Sequence, residues 1–567
     1  DTESCKIPNL NALDMSILPY LSSPSTPTNC RSNRHWTYVV GTNVVVNLTA
    51  IRSEGYSFHN IHCCYRAISR VEQTLDKYDD QADSVILVSK DCVPLDKEDV
   101  VYRDHHALVQ KNYRKSTAKK VHFWNESKSR KQKPPNVLLI GIDSMSKLNF
   151  QRTMPSTRKF LKNIGAVEML GYTKVGENTF PNVVAFLSGL NESSLEKACY
   201  FTPLTAQDAC PYIWKEFNEA QYITAHLEDS PELNAFNRLK TGFVQQQVDF
   251  YMRPFMQNIF GRLHSKDCAG PDTIEQKIFS FINNIENMSE TNGIPYFVFT
   301  WLTGLSHSDM SAATHSDDIF TAFLKNLNLS DTILFFMSDH GFRYGTFRET
   351  FFGWFEDKLP NFWVYLPPKL QSEFPLWGKE LKLNSRKLLS PFDLYQTFRH
   401  VLQYFSSGKA NKLEREKNVL VERTYGSSMF ASIPTNRTCS DASIAPHFCP
   451  CATPKQIPMD SPELLSAVRT ALNYINALLP RQCSHFSLKK ITAGAVMTMT
   501  DGSSGSRDYV LAFITNPGSF LFEATVNCSS TRECKIKGNV LRMNKISTDV
   551  SCVHTADLQM LCYCTSR

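Results

Sequence analysis

Two unbroken hydrophobic runs, each closed by residues that can hold a cation, constrain this chain more than any other feature. They are Asn136-Val-Leu-Leu-Ile-Gly-Ile-Asp143 and Thr332-Ile-Leu-Phe-Phe-Met-Ser-Asp-His340. A strand with one face in water alternates apolar and polar residues, whereas a strand covered on both faces does not. Tyr296-Phe-Val-Phe-Thr-Trp-Leu302 and Phe362-Trp-Val-Tyr-Leu366 are further runs of this kind, and helical patterns lie between them at Ser156–Ile164, Asp272–Ile285 and Asp317–Leu327. Buried strands alternating with helices predict an α/β fold with a doubly wound, mostly parallel sheet. Ligands of such sheets gather beyond the carboxyl ends of the strands. Asp143, Asp339 and His340 are expected there.

A length of 567 residues exceeds one average domain. The sheet-forming segment is read as residues 133–455. An N-terminal, disulfide-containing domain is read over 1–132, with strand-like runs at Trp36–Val40, Val44–Leu48 and Ser84–Val88. It closes on the basic stretch Glu126–Pro135, a solvated linker in which Pro134 and Pro135 stop any regular element. Residues 456–567 read as a small cysteine-rich α+β region. There Ser461 caps a helix with Pro462 and Glu463 in its first turn and Leu465, Val468, Leu472, Ile475 and Leu478 on its apolar face. Strand-like Tyr509–Thr515 and Ser519–Val526 follow. The net charge of +6 is small for this length and gives no nucleic-acid-binding signature. No stretch reaches the roughly 18 apolar residues of a membrane span.

Seventeen cysteines set the compartment. Cys449 and Cys451, like Cys562 and Cys564, are one residue apart, against the two to four of a zinc knuckle. Disulfides in an oxidising compartment are therefore expected, with the pairing open and at least one thiol left by the odd count free or paired between chains. Glycosylation sequons at Asn47, Asn125, Asn191, Asn287, Asn328, Asn436 and Asn527 point the same way. No signal peptide is seen at Asp1. The chain is read as an extracellular protein, secreted or the ectodomain of a membrane-anchored one, with a targeting or anchoring segment removed.

Asp143, at the end of its strand, suits either a cation or the cap of the next helix. Ser338-Asp-His-Gly341 narrows the choice, because a carboxylate oxygen and an imidazole nitrogen side by side suit Zn²⁺ or Mn²⁺. Gly341 is expected to let the backbone turn sharply there. In Glu177-Asn-Thr-Phe-Pro-Asn182, Thr179 precedes the helix-like Val183–Leu187. It reads either as an ordinary N-cap or as an alkoxide nucleophile at the positive end of a helix.

In this order, Asp143, Thr179-Phe-Pro-Asn182 and Asp339-His340-Gly341 resemble the alkaline phosphatase superfamily of sulfatase- and phosphodiesterase-like enzymes. The Thr-Phe-Pro-Asn string is similar to the nucleophile motif of nucleotide pyrophosphatase/phosphodiesterases. Nearly the whole chain, through Asp339-His-Gly-Phe-Arg-Tyr-Gly345 and Cys439–Cys451, also resembles an animal family of sulfatase-like proteins designated domain of unknown function 229. The resemblance implies an alkaline-phosphatase-like fold and one or two Zn²⁺ ions, with Mn²⁺ or Mg²⁺ as substitutes. Asp143, Thr179, Asp339 and His340 would hold the first ion, and His307 and His447 would belong to the second. The superfamily's phosphodiesterases place an aspartate four residues before the first of these histidines. This chain has Thr303 there, so Asp309, Asp317 or Asp318 would have to substitute.

The implied activity is hydrolysis of a phosphoester, diesters before monoesters, through Thr179. Asn178, Asn182 and Arg343 are candidate contacts to phosphoryl oxygens. A sulfatase would need a Cys or Ser within Cys/Ser-x-Pro-x-Arg, where this chain has Thr179-Phe-Pro-Asn-Val183. A phosphoethanolamine transferase would bring membrane spans. The non-enzymatic alternative is an inactive ectodomain serving as a binding module.

Overall fold

The buried runs lie side by side in one sheet. The computed structural model of the chain describes residues 5–564, apart from 16, 22–29, 31–34, 58–60, 62–63, 90–101, 111–113, 128–132, 201, 203, 262–267, 349, 406–424, 452, 499–505, 530–532, 539, 545–551 and 554–555. Strands β1 (Asn136–Ile142), β2 (Val167–Glu168), β3 (Ile223–Glu228), β4 (Phe250–Tyr251), β5 (Tyr296–Leu302), β6 (Thr332–Met337) and β7 (Phe362–Tyr365) form a seven-stranded sheet in the order β2-β7-β6-β1-β5-β3-β4. β6, β1, β5, β3 and β4 run parallel, and β7 is antiparallel to both β6 and β2. The expected doubly wound, mostly parallel sheet is thus what the chain forms.

Register brings the cation-binding residues together. Ile142 pairs with Leu302, and Gly141 with both Trp301 and Met337. Asp143 and Ser338–His340 therefore leave neighbouring strands at the same end of the sheet. Alternate residues of each strand point to opposite faces. Val137, Leu139, Phe297 and Phe335 pack with Val183 and Val184 of helix α1 (Thr179–Ser188) on one face. Leu138, Ile140 and Phe336 pack with Ile278, Ile282 and Ile285 of helix α2 (Ile274–Asn292) on the other. Each such side chain contributes about 1.5–3 kcal/mol through burial.

Helix α2 starts where the sequence allows. Thr273 Oγ1 accepts the Gln276 amide at 3.3 Å, and Gln276 Oε1 accepts the Thr273 amide at 2.8 Å, forming a closed capping box. Inside α2, burial and the like charge of Glu290 push the Glu286 carboxyl up to about 7, while Glu286 Oε1 accepts the Asn328 amide at 3.0 Å. A carboxyl with a raised folded pKa costs stability as pH climbs from the unfolded value to the folded one. Glu286→Gln keeps the acceptor and removes that cost. We expect it to match the parent at pH 4 and to exceed it by about 1 kcal/mol at pH 8 in denaturant titrations.

Beyond the sheet, β8 (Thr453–Gln456), β9 (Ser487–Thr498), β10 (Ser506–Asn516), β11 (Leu521–Ser529) and β12 (Cys534–Ile536) form an antiparallel sheet in that order, with β13 (Leu541–Arg542) also on β11. Helix α3 (Pro462–Leu478) lays Leu464, Val468, Ala471 and Ile475 against it. Ser461 caps this helix as expected, its Oγ accepting the Leu464 amide at 3.4 Å. Toward the N-terminus, a hairpin pairs Thr37–Val40 with Asn43–Val46, and Ile86–Val88 pairs with Ile68–Arg70. Helix Lys115–Ser127 was not foreseen. Of the basic stretch expected as a linker, Glu126 and Ser127 close this helix and 128–132 lie outside the described residues.

The disulfides are Cys5–Cys451, Cys30–Cys268, Cys199–Cys210, Cys439–Cys449, Cys483–Cys562, Cys528–Cys534 and Cys552–Cys564. Cys64 is bonded as well, while Cys63 and Cys92 lie outside the described residues. The closely spaced cysteines form no zinc site, because their sulfurs are spent on separate bridges. Among the described residues, no helix is long and apolar enough to cross a membrane. Of the sequon asparagines, Asn125, Asn191, Asn287, Asn328 and Asn436 are exposed. Asn47 and Asn527 are half-buried, and Asn527 Nδ2 donates to Asp508 at 2.7 Å.

Candidate active site

Asp143, Asp339 and His340 converge at the end of the sheet, with one ligand atom from each lying within 4.8 Å of the others. All three are buried. His340 Nδ1 is 2.8 Å from the Gly341 carbonyl, which requires the proton on Nδ1 and leaves Nε2 with its lone pair. Asp339 Oδ1 accepts the amides of Ser144 and His340 at 3.1 and 2.9 Å and the Ser338 hydroxyl at 3.2 Å. Its other oxygen, Oδ2, faces His340 Nε2 at 3.2 Å, and neither atom has a hydrogen-bond partner. Buried polar atoms are nearly always paired. Two orphans facing one another beside a second carboxylate fit a shared cation, and an oxygen–nitrogen donor set fits zinc.

Charges in the cluster are held under tension. Burial pushes the Asp143 carboxyl up to about 6, against hydrogen bonds from Ser144 and Thr179 and the charges of Arg343 and Arg238. Burial likewise raises Asp339, with the Asp143 charge adding to the effect. It lowers His340 to about 4, which keeps the imidazole neutral and able to coordinate. Ser144, next to Asp143, takes the left-handed conformation at φ 60°. Strain of this kind persists where surrounding bonds hold it. Here the Ser144 amide is tied to Asp339 and its hydroxyl to Asp143 Oδ1 at 2.6 Å.

Thr179 is the first residue of α1, and its hydroxyl donates to Asp143 Oδ2 at 3.1 Å. It is part-exposed, unlike the buried cluster behind it. Asn178 stands at the N-cap but gives no side-chain cap. The first-turn amides and the positive end of the helix therefore face the site without a side chain across them. Asn182 is not a phosphoryl contact. It is fully buried, its Oδ1 accepts the Val175 and Gly176 amides, and its Nδ2 donates to the Gly176 and Asn178 carbonyls. It thus shapes the loop that presents Thr179. Arg343 Nη1 binds Glu177 through the backbone carbonyl at 3.1 Å and the carboxylate at 3.2 Å. Lys240 Nζ lies 4.0 Å from the ring centre of Phe180, the next residue after the threonine.

Gly341 serves close approach rather than a sharp turn. A Cβ there would meet the Glu356 carbonyl oxygen at 2.1 Å. Through this approach the Gly341 amide donates to the Asp357 carbonyl at 3.0 Å.

The two further histidines lie outside the Asp143–Asp339–His340 group. The His447 nitrogens are engaged with Thr525 Oγ1 at 3.0 Å and Glu523 Oε1 at 3.3 Å, so a ligand role would require it to give up Glu523. The His307 ring packs near Tyr344, with centroids 6.1 Å apart. The acids expected to substitute near it are held in other roles or exposed. Asp317 accepts the Ser156 and Thr157 amides at the start of the helix Pro155–Asn163, Asp309 closes a local turn onto Ser311, and Asp318 is exposed.

A buried acid beside Thr303 was missed in the sequence. Asp229 follows β3, and its two oxygens accept the Thr303 and Gly304 amides at 2.8 Å each. Burial pushes its carboxyl up to about 7. An acid closing a strand was the available signal, as at Asp143, but β3 itself was not recognised.

A doubly wound sheet with an Asp-Asp-His cluster behind a helix-start threonine defines the class of protein. Residues 23–492 match the family described as Protein of unknown function (DUF229), and the chain belongs to it. No curated protein sequence matches the chain. Among solved structures it is similar to a protein in the alkaline phosphatase superfamily from Vibrio parahaemolyticus, at 12% identity and a TM-score of 0.37 over 74% of this chain and 91% of that one. It is similar to the phosphonate monoester hydrolase SpPMH from Silicibacter pomeroyi at 11% and 0.38, over 75% and 93%. The PsFucS1 sulfatase from Pseudoalteromonas sp. matches at 11% and 0.34, over 78% and 89%. Likenesses this low leave the reaction to be argued from the residues themselves.

Proposed function

We propose that this protein is an extracellular, metal-dependent phosphoester hydrolase of the alkaline phosphatase superfamily, acting on diesters before monoesters through Thr179. One observation carries the reading. A part-exposed threonine at an uncapped helix start points its hydroxyl at Asp143, beside the facing orphan atoms of Asp339 and His340. Asp143, Asp339 and His340, with the Thr179 oxygen, would hold the ion, zinc by donor type. Such an ion lowers the pKa of the threonine hydroxyl and offsets charge on phosphoryl oxygens.

The residues divide the work. Thr179 Oγ1 attacks phosphorus as its proton passes toward Asp143 Oδ2, and the ester oxygen leaves with its bonding electrons and takes a proton from water. A second water then attacks the phosphothreonine, breaks the P–Oγ1 bond and restores the hydroxyl. The start of α1, with Arg343, Arg238 and Lys240 nearby, favours an anionic substrate.

Threonine cannot become the formylglycine of sulfatases, which supports phosphate over sulfate. Nitrophenol release from bis- and mono-nitrophenyl phosphate and from nitrophenyl sulfate, with added Zn²⁺, Mn²⁺ or Mg²⁺, tests the class. We expect the diester to turn over fastest. Sulfate turnover above phosphate would overturn the reading, and no turnover of any ester would favour the binding-module alternative.

A further inference from the structure

The residues that frame Thr179 are connected to the C-terminal sheet by a row of buried charges of alternating sign. It begins at Lys174, whose Nζ lies 3.4 Å from the Glu177 carbonyl and 2.8 Å from Asp357 Oδ1. Asp357 Oδ2 takes Arg348 Nη2 at 2.9 Å, and the same nitrogen lies 2.8 Å from Glu523 Oε2. Glu523, in β11, receives Trp354 Nε1 at 3.1 Å and His447 Nε2 at 3.3 Å on its other oxygen. Lys174, Asp357, Arg348, Glu523 and His447 are all buried.

Backbone contacts make the middle of the row a clamp. The Asp357 carbonyl accepts the Gly341 amide at 3.0 Å and the Lys358 carbonyl accepts the Lys174 amide at 3.1 Å. The helix Phe351–Lys358 therefore ends between the metal-binding motif and the loop that presents Thr179. Lys358 Nζ in turn donates to the His447 carbonyl at 2.6 Å.

In such a row each charge is shared between two neighbours. With Glu523 neutral, Arg348 keeps Asp357 as its direct partner, with the Glu177 charge a smaller influence. It then competes with Lys174 for that carboxylate in a setting where an uncompensated charge is costly. Lys174 loosens, and the 174–178 loop loses one of the ties that fix the threonine. We propose that Glu523 is a positioning residue for Thr179, so that the C-terminal sheet forms part of the active site. This rests on the reading of Thr179 as the nucleophile.

The test uses the full zinc-reconstituted chain and two readouts. In Glu523→Gln, we expect kcat for bis-nitrophenyl phosphate to fall about 10–100-fold with KM within twofold. Amide hydrogen exchange in peptides covering 173–182 should quicken at least tenfold. Glu523→Asp, which keeps the charge on a shorter stem, should recover part of both. The control Asp508→Asn breaks the Asp508–Lys537 pair on the same sheet and should leave both unchanged. A purely local role for Glu523 would quicken exchange in 506–529 alone. That pattern, with kcat within twofold of the parent, overturns the proposal. Should Glu523→Gln not fold, Glu523→Asp decides by the same two readouts, with unchanged values counting against it. If the parent cleaves no ester, the function reading fails by itself, and exchange at 173–182 still judges the coupling.

Discussion

Thr179→Ala is expected to lower kcat for phosphodiester hydrolysis by at least about 10³-fold, a barrier increase of roughly 4 kcal/mol. The substitution removes the attacking oxygen and nothing else of size. Thr179 is only part-buried, and its hydroxyl donates to Asp143. Alanine is a good helix former, so α1 should persist and the melting temperature should stay close to that of the parent. Thr179→Ser keeps the hydroxyl but frees its rotamer, and should retain a measurable part of the rate. Rapid quenching with labelled diester should trap phosphate on the parent and on Thr179→Ser but not on Thr179→Ala. Turnover that survives the alanine substitution would remove the threonine from the mechanism.

The second large effect concerns the ion. Asp339→Asn should lower zinc affinity by more than about a hundredfold, read as metal content after dialysis against a weak chelator. The variant should still fold. Oδ1 keeps its three donors, and the new amide nitrogen can donate to His340 Nε2 across the present 3.2 Å gap. The sign of its stability change separates a cation site from a merely structural carboxylate. Because burial raises the Asp339 carboxyl, the metal-free parent loses stability as pH rises above the unfolded value. Metal-free Asp339→Asn should therefore melt above the metal-free parent at pH 8, and the order should reverse once zinc is added. Equal zinc content in the two proteins would place the ion elsewhere.

How much of this was legible in the sequence depended on how each residue is held. Asp143, Asp339 and His340 could be read because they end β1 and β6, whose residues are all buried and nearly all apolar. β3 escaped notice because Thr224, His226 and Glu228 interrupt it. Thr224 donates to Asp249 inside the fold, and Glu228 accepts the Ala235 amide. With β3 went Asp229, although it closes a strand just as Asp143 does. Asn182 was recognised as a polar residue near the site, but its side chain is spent on the loop before Thr179. Residue type cannot distinguish a side chain that meets substrate from one that fixes the loop beside it. The charge row through Asp357 and Glu523 joins residues 166 positions apart, a proximity that only the fold creates.

One disulfide also orders events in time. Cys5 is bonded to Cys451, 446 residues later in the chain. At ordinary synthesis rates that separation takes roughly 20–90 s to make. For that interval Cys5 must wait as a thiol or in a provisional bridge, long after the strands of the central sheet have been made. When Cys451 arrives, Cys439 and Cys449 are already present, and in the finished protein the Cys439 sulfur rests 3.4 Å from that of Cys451. The last cysteine of that loop therefore emerges beside a rival partner, and the start of the chain has to be within reach before the near neighbours close on the wrong sulfur.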